Sequence, residues 1–126
     1  MNEGQITADF HIREFKCSDG TKVPEGLLPN VAVLAAQLQI IRDYINTSIT
    51  LNSAYRTEAY NVKCGGSPNS QHLQAKAADM VTGKYSPKQL AVIVKKLIKE
   101  KKILQGGVGV YPSFVHYDIR GVEARW

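Results

Sequence analysis

The sequence predicts a single α+β domain, and three observations carry that prediction. Two segments have apolar residues at helical spacing, three alternate as strands do, and no linker, internal repeat or low-complexity tract separates them. The 126 residues, 44% of them hydrophobic, suit one soluble core, with an N-terminal arm over 1–29 and the core over 30–126.

The arm has no sustained period and carries turn residues at Asp19, Gly20, Pro24, Gly26 and Pro29, so short looped elements are expected there, His11 among them. "NVAVLAAQLQIIRDYIN" follows, with Leu34, Leu38, Ile41 and Ile45 on one stripe behind Asn30 as the expected N-cap. Residues 48–56, "SITLNSAYR", alternate as a strand, and 62–69, rich in Gly, Pro and Asn, read as the loop that delivers His72. A short strand is expected over 77–82. "SPKQLAVIVKKLIKE" then opens a helix with Ser86 as N-cap and Pro87 in its first turn, its core stripe formed by Leu90, Ile93, Val94, Leu97 and Ile98. Gly106 and Gly107 are expected to stop that helix. "VGVYPSFVHYDIRG" reads as a hairpin whose second strand spans 114–119, which puts His116 and Asp118 on one face, with Phe114 and Arg120.

Sixteen Lys and Arg against eleven Asp and Glu give a net charge of +5, which favours anionic partners without choosing among them. The densest run, "KKLIKEKK" at 95–102, reads as the solvated face of a helix, and no nucleic-acid recognition motif accompanies it. No apolar run approaches the roughly 20 residues of a membrane span, and the first thirty residues form no apolar signal core. Localisation therefore stays open between a cytoplasmic protein released later, as a phage or prophage lysis protein is, and a periplasmic or extracellular one whose signal has been removed. Cys17 and Cys64 cannot make a four-thiolate zinc site and are expected as free, partly buried thiols, with a disulfide between them only in an oxidising compartment.

The stretch "NSQHLQAKAADM" sets His72 seven residues before Asp79. On one helix the two would stand about 10 Å apart along the axis, too far for one small metal ion. Zinc holds imidazole nitrogen and carboxylate oxygen at about 2 Å, so convergence is easier with His72 leaving a loop and Asp79 on a strand, and the small Ala75, Ala77 and Ala78 permit that close packing. His116 supplies a third ligand for an open-cornered site; its alternative reading is a core histidine bonded to backbone or to Asp118.

In order, "SAYRTEAYN", "GGSPNSQHLQAKAAD" and "GVGVYPSFVHYDIRG", with "FHIREFKCSDG" near the start, resemble the zinc peptidoglycan peptidases that include D-Ala-D-Ala carboxypeptidases and murein LD-endopeptidases, nearest their small single-domain branch. The resemblance implies a hedgehog/DD-peptidase-like antiparallel sheet packed against helices. It implies one zinc ion on His72, Asp79 and His116, a substrate-positioning Arg56, and Ser70 orienting or binding at the site. The activity it implies is hydrolysis of stem or cross-link peptides by a zinc-bound water, as a carboxypeptidase or an endopeptidase of endolysin type. The implied partner is a peptidoglycan peptide; no nucleic-acid partner is expected, since no recognition motif accompanies the charge, and the chain is expected to be a monomer.

Two departures from the family pattern stand out. Ala75 replaces the usual Gly in His-x-x-Gly-x-Ala-x-Asp and is strained if its φ is positive, with weaker metal binding expected. Ser113 replaces an acidic residue three before the last histidine, which leaves the general base open. Asp118 is the expected base, or else the acceptor that fixes the ring of His116. Arg56 is expected to clamp a substrate carboxylate or, alternatively, to stabilise the fold. The alternative to an enzyme is an inactive zinc-binding or cell-wall-binding module of the same fold.

Overall fold

The protein is described over residues 3–126 in a computed structural model, so the first two residues of the expected arm lie outside the described residues. Three α-helices, α1 (Leu28–Ile45), α2 (Glu58–Lys63) and α3 (Pro87–Lys99), accompany five strands: β1 (Thr50–Ser53), β2 (Ala77–Val81), β3 (Gly107–Val110), β4 (Val115–Asp118) and β5 (Ala124–Arg125). The sheet order is β1-β2-β4-β3-β5. All neighbours are antiparallel except β3 and β5, which run parallel and make the sheet mixed where an antiparallel one is expected.

Strand alternation divides the sheet into two faces. Ala78, Met80, Val108, Val115 and Tyr117 enter the hydrophobic core with Leu34, Leu38, Ile41 and Ile45 of α1 and Leu90, Val94 and Leu97 of α3. Each fully buried Leu or Ile stabilises the fold by about 1.5–3 kcal/mol relative to exposure. The intervening residues Asp79, His116 and Asp118 face the other way. Helices α1 and α3 therefore hold the core face and leave the polar face for the site. The arm belongs to the core as well: Phe10, Phe15 and Cys17 are buried, the two rings meet edge-on at 6.2 Å, and Tyr55 N–H donates to Phe15 O at 3.0 Å.

Several local expectations change. Helix α1 starts at Leu28 with Leu27 at the cap, because a 3-10 turn over Glu25–Leu27 runs straight into it and Pro29 is tolerated in a first turn, where backbone N–H groups have no helical partner. Asn30 lies inside that turn, and its amide donates to Gln74 O at 2.9 Å. Part of the expected 62–69 loop is helical: Thr57 caps α2 by accepting from Tyr60 N–H. Six residues are too few for a helical period to declare itself. Gly106 and Gly107 do not stop α3, which ends at Lys99 with Glu100 as its cap and Lys101 at φ 58°. Ser86 does cap α3, in a reciprocal box with Gln89.

Ala75 adopts φ 56°, ψ 34° at the end of the 3-10 turn Gln71–Gln74 and is buried. The left-handed conformation costs a residue with a β-carbon about 1–2 kcal/mol. Ala75→Gly would relieve that but forfeit about 0.8 kcal/mol of methyl burial and add about 0.5–1 kcal/mol of chain entropy. These terms nearly cancel, so the melting temperature of Ala75→Gly should stay within about 5 °C of the parent. A calorimetric shift of twice that size in either direction would show that strain or packing at this turn has been misjudged.

Candidate metal centre

Register builds the site. Asp79 on β2 is the direct cross-strand partner of His116 on β4, so their side chains leave the same face as neighbours. An irregularity in β1 between Leu51 and Ser53 brings Ser53 opposite Asp79, extending the row. His72 arrives from the 3-10 turn, and not from open loop. Ser70 caps that turn, its Oγ accepting from His72 N–H at 3.2 Å, and Arg56 N–H donates to His72 O at 3.0 Å, fastening the turn to the end of β1.

The three side chains meet at one oxygen. Asp79 Oδ1 lies 3.3 Å from His72 Nε2 and 3.2 Å from His116 Nδ1, and the three ligand atoms all fall within 4.8 Å of one another. Tetrahedral coordination with bonds of 2.0–2.1 Å sets neighbouring ligand atoms about 3.3 Å apart, so these separations fit one ion near the middle. Two imidazole nitrogens and a carboxylate oxygen form a donor set suited to zinc. All three residues are buried yet line a cleft of about 520 Å³, which provides access from one side.

The far nitrogen of each ring is held by a protein oxygen. His72 Nδ1 lies 2.6 Å from Ala54 O, a carbonyl that can only accept, so the proton sits on Nδ1 and leaves Nε2 free for a metal. His116 Nε2 lies 2.7 Å from Asp118 Oδ2, which places its proton on Nε2 and frees Nδ1. Asp118 therefore stands on the outer side of the His116 ring. It is wholly buried, does not line the cleft, and also accepts from Gly107 N–H, Arg120 N–H and the Arg120 guanidinium. A general base must reach a proton in the cleft, and in this arrangement the carboxylate faces the ring of His116.

The electrostatics follow from these contacts. Burial pushes the Asp79 carboxyl up, but in the metal-free protein its close contacts with the rings of His116 and His72 outweigh that and hold the group at about 2. Burial likewise opposes ionisation of Asp118, yet bonds from His116, Arg120 and the Gly107 backbone hold it well below the usual carboxylate range. Burial lowers His116, and its bonds to Asp118 and Asp79 more than reverse that, so the ring titrates above its ordinary value in the metal-free protein.

Arg56 lies at the cleft with three donors engaged: Nε to Ser53 Oγ at 3.0 Å, Nη1 to Asn61 Oδ1 at 3.3 Å and Nη2 to Asp79 Oδ2 at 3.3 Å. A guanidinium has five N–H groups, so two remain. Ser113 sits beside Tyr85 and Pro87, outside this cleft. Asp79 is the sole acidic side chain among the described residues lining it. Sequence reasoning missed Asn61, which is buried, holds Arg56 and donates to Ser67 O at 2.8 Å; its signal was masked by the unrecognised α2. Both cysteines are free thiols as expected, but neither is partly buried: Cys17 lies wholly in the core with Phe10 and Phe15, and Cys64, at the end of α2, is exposed.

A family model described as Peptidase M15 matches residues 8–118. No curated protein matches the chain at a significant level.

Proposed function

The chain belongs to the peptidase M15 family, a zinc-dependent metallopeptidase family, and on that premise we propose that it cleaves peptides of bacterial peptidoglycan with one zinc ion held by His72, Asp79 and His116. The observation that carries this reading is the convergence of two imidazole nitrogens on one Asp79 oxygen at 3.2 and 3.3 Å, at the floor of an accessible cleft. A zinc ion in a three-ligand site with an open corner activates water and polarises a peptide carbonyl. The chain's own residues supply the rest. Ala54 O and Asp118 keep the ring protons on the outer nitrogens, so both rings present lone pairs inward. Ser70 fixes the turn that aims His72.

Arg56 offers its two remaining N–H groups to a substrate carboxylate while steadying Asp79 with a third. Arg56→Ala should lower kcat/KM by about 10–100-fold, chiefly through KM, as expected when a charged hydrogen-bonding partner worth about 1.5–3 kcal/mol is removed. Steady-state rates unchanged from the parent would assign Arg56 to the fold alone.

One observation favours a second reading, a binding module that holds zinc or cell wall without cutting it: among the described residues, Asp79 is the sole acidic side chain lining the cleft, and its carboxylate already faces both rings and Arg56. Incubating zinc-loaded protein with muropeptides and weighing the products by mass spectrometry separates the two. Chelator-sensitive cleavage supports the peptidase, and the fragment masses tell loss of a terminal residue from a cut within the stem. Intact muropeptides that bind measurably would support the module.

A further inference from the structure

Trp126 belongs to neither the core nor any role assigned so far. The residue is 47% exposed, so hydrophobic burial alone does not account for where it lies. Its ring centroid is 4.9 Å from that of His116, at a 47° tilt, on the cleft side of the metal centre.

Three independent features hold it there. The backbone is zipped onto β3, with Trp126 N–H donating to Val108 O at 3.1 Å and Val110 N–H donating to Trp126 O at 2.9 Å. The indole N–H donates to Tyr111 Oη at 2.6 Å, and the Arg120 guanidinium carbon lies 5.4 Å from the ring centroid. The space itself is provided by Gly109, the cross-strand partner of His116. A β-carbon at Gly109 would stand 2.4 Å from the indole nitrogen. Glycine weakens a strand and is retained where another group must approach the backbone closely. Here that group is the indole. These contacts close a ring: His116 to Asp118, Asp118 to Arg120, Arg120 to Trp126, and Trp126 back to His116.

We propose that Trp126 is a positioning residue of the metal centre, its indole walling one side of His116 and keeping Nδ1 aimed at the ion. The inference rests on the reading of His72, Asp79 and His116 as a zinc site. Trp126 is the only tryptophan in the chain, so its emission reports on this one place.

The test begins with metal-stripped parent protein titrated with zinc while tryptophan emission is followed. Zinc affinity is then measured by competition with a chromophoric chelator in Trp126→Ala, Trp126→Phe and Gly109→Ala, each also checked by melting without metal. The parent's emission should change and saturate at one equivalent. Trp126→Ala should bind zinc about 10–100-fold more weakly, the range expected when a group supporting a ligand is lost. Trp126→Phe should recover most of that affinity. Gly109→Ala, which keeps the indole in the chain but takes its place, should lose as much as Trp126→Ala. Should Trp126→Ala fail to fold, Trp126→Phe and Gly109→Ala carry the measurement.

Parent emission indifferent to bound zinc, or parent-like affinity in the folded variants, overturns the inference and leaves the metal centre standing. A parent protein that binds no zinc sinks the metal centre itself and this inference with it.

Discussion

His116→Ala is expected to remove stoichiometric zinc and peptide cleavage together while leaving the chain folded. Two ligands would remain, His72 and Asp79, and the loss should exceed the about 10–100-fold in affinity attributed to groups that merely support a ligand. The fold should survive because the ring lies on the polar face of β4, opposite the packed residues Val115 and Tyr117. Elemental analysis after dialysis checks the metal, and muropeptide digestion checks the activity. Zinc should raise the melting temperature of the parent, since a ligand of the native state stabilises it by mass action, and leave that of the variant unchanged. One full equivalent of zinc retained by the folded variant would remove His116 from the ligand set.

Asp118→Asn is expected to damage the fold more than its near-identical shape suggests. Oδ1 of Asp118 accepts from Gly107 N–H, Arg120 N–H and Arg120 Nε, and Oδ2 accepts from His116 Nε2 and Arg120 Nη2. Every neighbour is a donor, so an amide NH₂ meets donors in either orientation. A buried group left unsatisfied costs about 1–3 kcal/mol, and breaking a buried ion pair about 3–5 kcal/mol. Arg120 is partly exposed and recovers some hydration, so a total loss of about 3 kcal/mol is expected in denaturant unfolding. Zinc affinity should fall as well, because the ring of His116 loses the acceptor that fixes its proton. Stability and zinc affinity both at parental levels, with cleavage alone lost, would return Asp118 to the part of a base.

The acid limb of stability in the metal-free protein follows from the same contacts. Asp79, held at about 2, and Asp118, held lower still, both lie below their unfolded values near 4. Each therefore contributes stability that is fully present above about pH 4 and is lost as pH falls through the folded value. His116, raised in the fold, contributes in the opposite sense, with stability present below its unfolded value near 6.5 and lost as pH rises through the folded one. Melting of metal-free protein should thus decline steeply between about pH 4 and pH 2. A flat profile across that interval would contradict the carboxylate contacts.

Much of the site was legible because its signals are local. The apolar stripe of α1 and the Ser86-Pro87 start of α3 are set by residues within a few turns, and all recur in the fold. Alternation through "FVHYDI" aligned His116 with Asp118, and the observed strand keeps them on one face. The motif order carried the family, to which the match over residues 8–118 assigns the chain. Less was legible where a short element or a distant partner decides. Helix α2 offered too few residues to show a period, so Asn61 and its hold on Arg56 went unseen. Glycines 106 and 107 read as a helix stop, yet a β-carbon at either would strike Asp118, at its backbone oxygen for Gly106 and its carboxylate for Gly107.

The amino-acid sequence by itself determined which side chains share a strand face and where α3 begins, because those depend on period and on neighbours along the chain; the three candidate metal ligands came from the likeness of its motifs to a family. Only the tertiary structure decided which nitrogen of each ring faces inward, that Asp118 stands behind His116, and that Trp126 lies across it along a parallel strand. Such contacts join residues brought together by sheet register and chain return. A shift of one residue in β4 against β2 would turn His116 into the core, and no local pattern along the strand records which partner lies opposite.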